Sequence, residues 1–241
     1  FLQALRILEP VDLRGLGHNS ADYLHLFTET IKLTFADREQ YYGDPAFVKV
    51  PLEGLLSRAY ADARRGLIRT DEASLAFRPG DPVRRAALLE GQRLFAGGPW
   101  GPGTVHVDAA DAEGNVIAAT PSGAWLAASP VVPAVGFPLT SRVQTFHLDP
   151  EHPNALAPGK RPRTTLSPGL AIRPDGARLA FGTMGGDTQD QWALQFFLNL
   201  VDFGMDLQEA IEAPKVSSKS FPNSFYPHDV QPGLLRVEGR I

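Results

Sequence analysis

The 241-residue chain is 43% hydrophobic and has a net charge of −4, with its 23 Lys and Arg spread along its length. That content suffices for one sizeable core or two small ones, and the dispersed basic residues exclude the concentrated basic face of a nucleic-acid binder. No run approaches 18 apolar residues, so no transmembrane helix is expected, and a chain without cysteine has no disulfide, thiolate nucleophile or cysteine metal site.

"FLQALRILEP" reads as a helix already in progress, and "LLRVEGRI" ends without a closing element, so both ends are expected to be cuts through a longer protein. "NSADYLHLFTETIKLTFADREQYYGDP" predicts a helix with Ser20 as N-cap. Tyr23, Phe27, Ile31 and Phe35 fall four apart and form one apolar stripe. Gly43 and Asp44-Pro45 end it. "SRAYADARRG" predicts a shorter helix from a Ser57 cap to a Gly66 stop. Residues 71–103 have little periodicity and read as a mobile connector open to proteolysis.

The pattern changes after Gly103. "TVHVDAAD" and "VIAAT" predict a hairpin across "AEGN", where the Gly114-Asn115 order allows more than a two-residue turn. "DAEGN" lacks the run of oxygen ligands a calcium loop needs, and a turn explains it. "GLAIRPDGARLAFGT" predicts a second hairpin turned at Pro174-Asp175-Gly176. "TQDQWALQFFLNLVDFG" is a helix with Trp192, Phe196 and Phe203 on its apolar side, and "MDLQEAIEAP" a short one ended by Pro214. Helices, then hairpins, then helices imply an α+β layered fold.

Thr104 follows directly on the loop "GGPWGPG". A threonine hydroxyl needs a base to become a nucleophile. A terminal threonine carries one: its α-amine has a pKa of about 7.7–8.0, against about 10.4 for lysine. Cleavage between Gly103 and Thr104 would create that arrangement, and Gly103, without a Cβ, suits the strained scissile turn. The local sequence is equally satisfied by a threonine that merely begins a strand. Thr104, His106 and Asp108 share one strand face, but i, i+2 positions lie roughly 6.5–7 Å apart at Cα, so they are not expected to form a triad. His106 reads as a half-buried structural residue.

Five stretches occur in order: "YLHLFTETIKLTFADREQYYGDPAFV", "GTVHVDAADAEGNVIAATPSG", "PGKRPRTTLSP", "FGTMGGD" and "FGMDLQEAIEAP". Together they resemble the γ-glutamyltransferase family of N-terminal-nucleophile hydrolases, over nearly the whole chain. The resemblance implies part of a four-layer αββα sandwich. It divides the chain into residues 1–103, the end of a large subunit with its connector, and 104–241, the small-subunit sheet and helices carrying the nucleophile. It implies self-cleavage before Thr104, an acyl-enzyme on that residue, Ser122 as a supporting hydroxyl, and Gly185 and Gly186 as backbone donors to the oxyanion. It requires no cofactor or metal.

The departures point to the substrate. The family grips a substrate's α-ammonium and α-carboxylate with Asn, Gln and Asp side chains and a serine pair; the positions corresponding to the first three here are Ala124, Arg142 and Thr145. Thr164 and Thr165 stand where a serine pair would be. Without the aspartate, and with an arginine added, a bound ammonium has no compensating anion. Arg142 suits a carboxylate, which it can grip with a bidentate fork; an arginine on a solvated loop is the alternative. In "PGKRPRTTLSP", Lys160, Arg161 and Arg163 are expected to sit on a proline-stiffened loop packed near the site rather than in a phosphate patch.

The expectation is a γ-glutamyltransferase-like amidohydrolase acting on a γ-glutamyl or other small carboxylate-bearing amide. A true γ-glutamyl transferase or glutathione hydrolase, and an unprocessed inactive relative serving as a binding module, remain as alternatives. Expected partners are the small amide and the two subunits of one precursor. Homodimerisation is left open, as is the compartment, cytoplasmic or periplasmic with a lean to the first.

Overall fold

The computed structural model describes residues 1–88, 104–123 and 129–241. Gly103 and Ala124 lie outside the described residues. Helices α1 (Leu2–Leu8), α2 (Leu13–Leu16), α3 (Ala21–Tyr41), α4 (Leu52–Leu55) and α5 (Arg58–Arg65) come first. The caps expected from sequence form: Ser20 Oγ accepts from Tyr23 N and Ser57 Oγ from Tyr60 N. Gly66 caps α5 at φ −59°, a right-handed conformation, so its role there is not the left-handed stop that glycine commonly supplies.

Tyr23, Phe27, Ile31 and Phe35 are all buried, as the stripe predicts. The structure adds that every residue of α3 from Glu29 to Glu39 is buried, not only that stripe. A helix covered on all sides must satisfy its polar side chains internally. Here Glu29 pairs with Lys32 and Arg78, Asp37 with Arg64, Arg38 with Asp187, and Glu39 with Arg163.

The described part of the expected connector, 71–88, has contacts with α3 and α5. Ser74 N and Arg78 donate to Glu29, Gly80 N donates to Asp37, and Ala87 O accepts from Arg64. The segment is irregular, without helix or extended strand, and is attached to α3 and α5 at these points.

Strands β1 (Val107–Ala110) and β2 (Val116–Ala119) form an antiparallel hairpin with Ala110 opposite Val116. Its loop is five residues, 111–115, closed by Asp111 Oδ1 accepting from Asn115 N, with Gly114 at φ +82°. Strands β3 (Val131–Val132) and β4 (Phe137–Pro138) make a short hairpin. A 3₁₀ turn, Ser141–Thr145, follows. Strands β5 (Gly169–Ile172) and β6 (Arg178–Phe181) form the second expected hairpin, with Gly176 at φ +87° in its turn. These hairpins leave Val107, Ile117, Leu170 and Ile172 exposed.

A second 3₁₀ turn (Gly186–Thr188) runs into α6 (Gln189–Val201), followed by α7 (Leu207–Glu212) and the pair β7 (Val216–Ser218) and β8 (Leu235–Val237). The buried face of α6 differs from the expected one. It carries Gln191, Leu194, Gln195 and Leu198, while Trp192, Phe196 and Phe203 are half-buried. The reason is polar. Gln195 exchanges hydrogen bonds with Val216 N and O, and Gln191 with Ser218 N and O, so the two amides pair with β7 as a neighbouring strand would.

One apolar cluster joins residues from both sides of Thr104: Ala4, Leu8, Tyr23, Phe27, Ile31 and Phe35 with Leu194, Leu198, Val216 and Phe221. The Phe35 and Phe221 rings stand 4.1 Å apart between centroids. The chain is α+β, as its sequence implies.

Candidate active site

Thr104 lies three residues before β1 and is half-buried. Its Oγ1 is 3.1 Å from Ser122 Oγ, just beyond the end of β2. The hairpin brings the two hydroxyls together, because its register carries residues 104 and 122 to the same end.

His106 sits between them in sequence but not in chemistry. Its Nε2 is 2.9 Å from Asp108 Oδ1, so the two side chains lean together more closely than their backbone spacing suggested. Its Nδ1 faces Thr120 Oγ1 at 2.7 Å, not Thr104. The triad is therefore not assembled. The imidazole lies flat against Gly182, where a Cβ would come within 2.8 Å of three ring atoms. That close approach seats the strand head beside the segment running from β6 to Gly185.

Gly185 adopts φ +117° and caps the 3₁₀ turn that Gly186 begins at φ +58°. A side chain at 185 would strike Thr188 Oγ1 at 2.2 Å, so both conformation and space call for glycine. Amides at such a start have no partner within the turn.

Gly123, at φ +98°, follows Ser122 and packs on Arg142: a Cβ there would lie 2.8 Å from Nε and 2.9 Å from Cγ. Arg142 is 7% exposed, so it is not on a solvated loop. Its Nη1 is 3.4 Å from Thr165 Oγ1, and its guanidinium carbon stands 5.4 Å from the Phe225 ring centroid. No carboxylate lies within ion-pair distance of it among the described residues, and Nε has no hydrogen-bond partner there. Burial lowers its pKa, opposed by the field of Asp187.

The other expected contacts divide. Thr165 is buried against Arg142, whereas Thr164 is exposed, and its Oγ1 accepts from Leu166 N. Thr145 is fully buried, and its hydroxyl is directed at Arg142 O and Arg163 O at 2.8 and 2.7 Å. This hydroxyl ties the turn that carries Arg142 to the loop that carries Arg163. The basic loop is tied down: Lys160 donates to Pro153 O, Arg161 clamps Asp44 and Arg163 pairs with Glu39.

Sequence reasoning missed Asp187 and Ser224. Asp187 Oδ1 accepts from Arg38 Nη1 and Ser224 Oγ, both at 2.6 Å, and Oδ2 accepts from Ser224 N at 2.7 Å. The "GGD" run was visible, but its partners lie 149 and 37 positions away, and no local pattern signals them.

Glu39, His147 and His152 are the one group of side chains, among the described residues, whose spacing would admit a metal ion. His147 Nε2 is 2.9 Å and His152 Nε2 3.3 Å from Glu39 Oε1. The donor chemistry does not fit. His152 Nδ1 accepts from Asn154 N at 2.9 Å, so the proton sits on Nε2, the atom that would have to bind the ion. The other oxygen of Glu39 is held by Arg163, and a dication beside that guanidinium meets like charge. The group is a structural junction of α3 with the loop after the first 3₁₀ turn.

Comparisons with known proteins place the chain in a family. The family model for gamma-glutamyltranspeptidase matches residues 1–234. The acylase ACY 1 proenzyme of Pseudomonas sp. (strain SE83) is 38% identical over 215 residues, 89% of this chain and 36% of its own length. The glutathione hydrolase proenzyme of Bacillus subtilis (strain 168) is 31% identical over 248 residues, 97% of this chain and 40% of its own. The solved structure of LmbA2991HD superposes with a TM-score of 0.85 at 49% identity, over 99% of this chain and 42% of that one. This chain thus spans about two fifths of the length of the proteins it matches. With a family model covering almost every residue, the chain belongs to the gamma-glutamyltranspeptidase family.

Proposed function

We propose that the whole protein is a γ-glutamyltransferase-like amidohydrolase. It is activated by cleavage between Gly103 and Thr104 and acts on a small amide whose acyl part carries a carboxylate but no neighbouring ammonium. One observation carries this reading: a continuous line of contact from Thr104 through Ser122 and Gly123 to a buried Arg142 with no carboxylate in ion-pair distance among the described residues. A buried cation is costly without an anion, and a substrate carboxylate supplies one.

The chemistry follows from the residues. The α-amine exposed by cleavage takes the Thr104 hydroxyl proton as Oγ1 attacks the amide carbonyl. Gly185 and Gly186 N–H groups stabilise the oxyanion, where fixed donors are worth several kcal/mol, roughly 2.7–4 for one donor in a comparable site. The C–N bond breaks, the leaving amine takes the proton back, and an ester on Thr104 remains. Water then attacks and gives a proton to the Thr104 α-amine, which returns it to Oγ1 as the acid leaves. Ser122 holds the Thr104 hydroxyl in line for the attack.

Processed full-length protein should be assayed with glutaryl, γ-glutamyl and butyryl anilides. The first two differ only in the α-amine, and the third lacks the carboxylate. Glutaryl anilide should have the highest kcat/KM. A preference for γ-glutamyl anilide would favour a γ-glutamyl transferase or glutathione hydrolase, and no turnover of any would favour an inactive module.

A further inference from the structure

We propose that Asp187 is a positioning residue that locks the Gly185–Gly186 turn to the loop roofing Arg142, so that one carboxylate aligns the oxyanion donors and the acid-binding cation together. The inference rests on the amidohydrolase reading and assigns a new role within that site.

Asp187 follows the glycine pair directly and lies inside the 3₁₀ turn those glycines open. It is 5% exposed. Both its oxygens are used: Oδ1 by Arg38 and the Ser224 hydroxyl, Oδ2 by the Ser224 amide. Its own carbonyl accepts from Gln191 in α6. The turn therefore cannot shift without moving Ser224.

Ser224 is adjacent to Phe225, whose ring lies over the Arg142 guanidinium. The next residue, Tyr226, donates its backbone N–H to Gln144 O at 2.7 Å, in the same 3₁₀ turn as Arg142. Segment 224–226 is thus pinned to Asp187 at one end and to the Arg142 turn at the other. Asp187 is not in ion-pair contact with Arg142, so it leaves that cation free for a ligand while its charge is taken up by Arg38. Arg38 comes from α3, before Thr104, and stacks on Phe35 at 4.1 Å. The alignment of the small-subunit site is in this way referred to a rigid helix of the other segment.

An aspartate kept only for folding would change the folded fraction and leave each folded site unaltered. A positioning residue changes kcat and KM per active site. Full-length processed wild type, Asp187→Asn and Ser224→Ala should be compared with glutaryl anilide, with sites counted by an acylating probe that labels Thr104. Asp187→Asn should lose at least tenfold in kcat per labelled site and raise KM severalfold. Ser224→Ala, which keeps the Arg38 contact, should raise KM severalfold with a smaller loss in kcat. If Asp187→Asn does not fold, Ser224→Ala decides alone. Per-site constants within twofold of wild type, with only a lower melting temperature, would overturn the proposal. A wild type that turns over no amide and takes no label on Thr104 would instead remove the amidohydrolase reading.

Discussion

Thr104 Oγ1 and Ser122 Oγ stand 3.1 Å apart across the open end of the β1–β2 hairpin, eighteen residues from each other in sequence. A hydrogen bond of this kind contributes about 0.5–1.5 kcal/mol. Ser122→Ala should therefore lower kcat roughly two- to tenfold and leave KM for a carboxylate-bearing anilide nearly unchanged. Steady-state kinetics on processed enzyme checks this. A rise in KM with kcat untouched would make Ser122 a binding group.

Arg142 supplies a charge-assisted contact worth about 1.5–3 kcal/mol. Arg142→Ala should raise KM for glutaryl anilide about 10- to 150-fold, and leave the weak turnover of butyryl anilide unaltered. Arg142→Lys should recover only part of the loss, because an ammonium lacks the planar fork. An unchanged KM for the acid would reduce Arg142 to a packing residue.

Stability should fall on mild acidification. Burial lowers the pKa of His147, against the pull of Glu39, and burial likewise lowers that of His228. Burial alone would raise Glu39, but Arg163 and the two facing histidines hold its carboxyl well below the usual range. The sign follows. Unfolded histidine takes a proton near pH 6.5 while the folded one resists, so unfolding takes up protons and stability drops as pH falls through that range. The carboxylate extends the loss below about pH 4. Urea midpoints at pH 7.5, 6.0 and 5.0 should fall in that order. A midpoint that rises on acidification contradicts the assignment.

The Phe35–Phe221 contact joins the segments on either side of Thr104. Phe35→Ala should destabilise the protein by about 3–5 kcal/mol, read from denaturant unfolding. A change below about 1 kcal/mol would mean that the two segments do not depend on this shared core.

What could be read in advance was local. Ser20 and Ser57 cap helices because a hydroxyl reaches an amide three residues on, and Gly176 turns a hairpin because it tolerates positive φ. The pairing of Thr104 with Ser122 followed from the resemblance, and the hairpin register accounts for it. Other features depended on distant partners. Nothing within "FADRE" indicates that Arg38 meets Asp187, or that Asp37 meets Arg64. Aromatic residues point to one face of α6, whereas Gln191 and Gln195 are drawn inward by the edge of β7, which no local pattern signals. Position in the motif puts Thr145 among the substrate contacts, and its hydrogen bonds to two backbone carbonyls are visible only in the fold.

The central claim is that the nucleophile is made by a backbone break before Thr104. Full-length protein and its Thr104→Ala variant should be run on a denaturing gel, and the smaller wild-type fragment sequenced from its N-terminus. The account predicts two wild-type bands, the smaller beginning Thr-Val-His-Val, and one uncut, inactive band for the variant. A single wild-type band that still hydrolyses the anilide, or a variant that is cut and active, would contradict it.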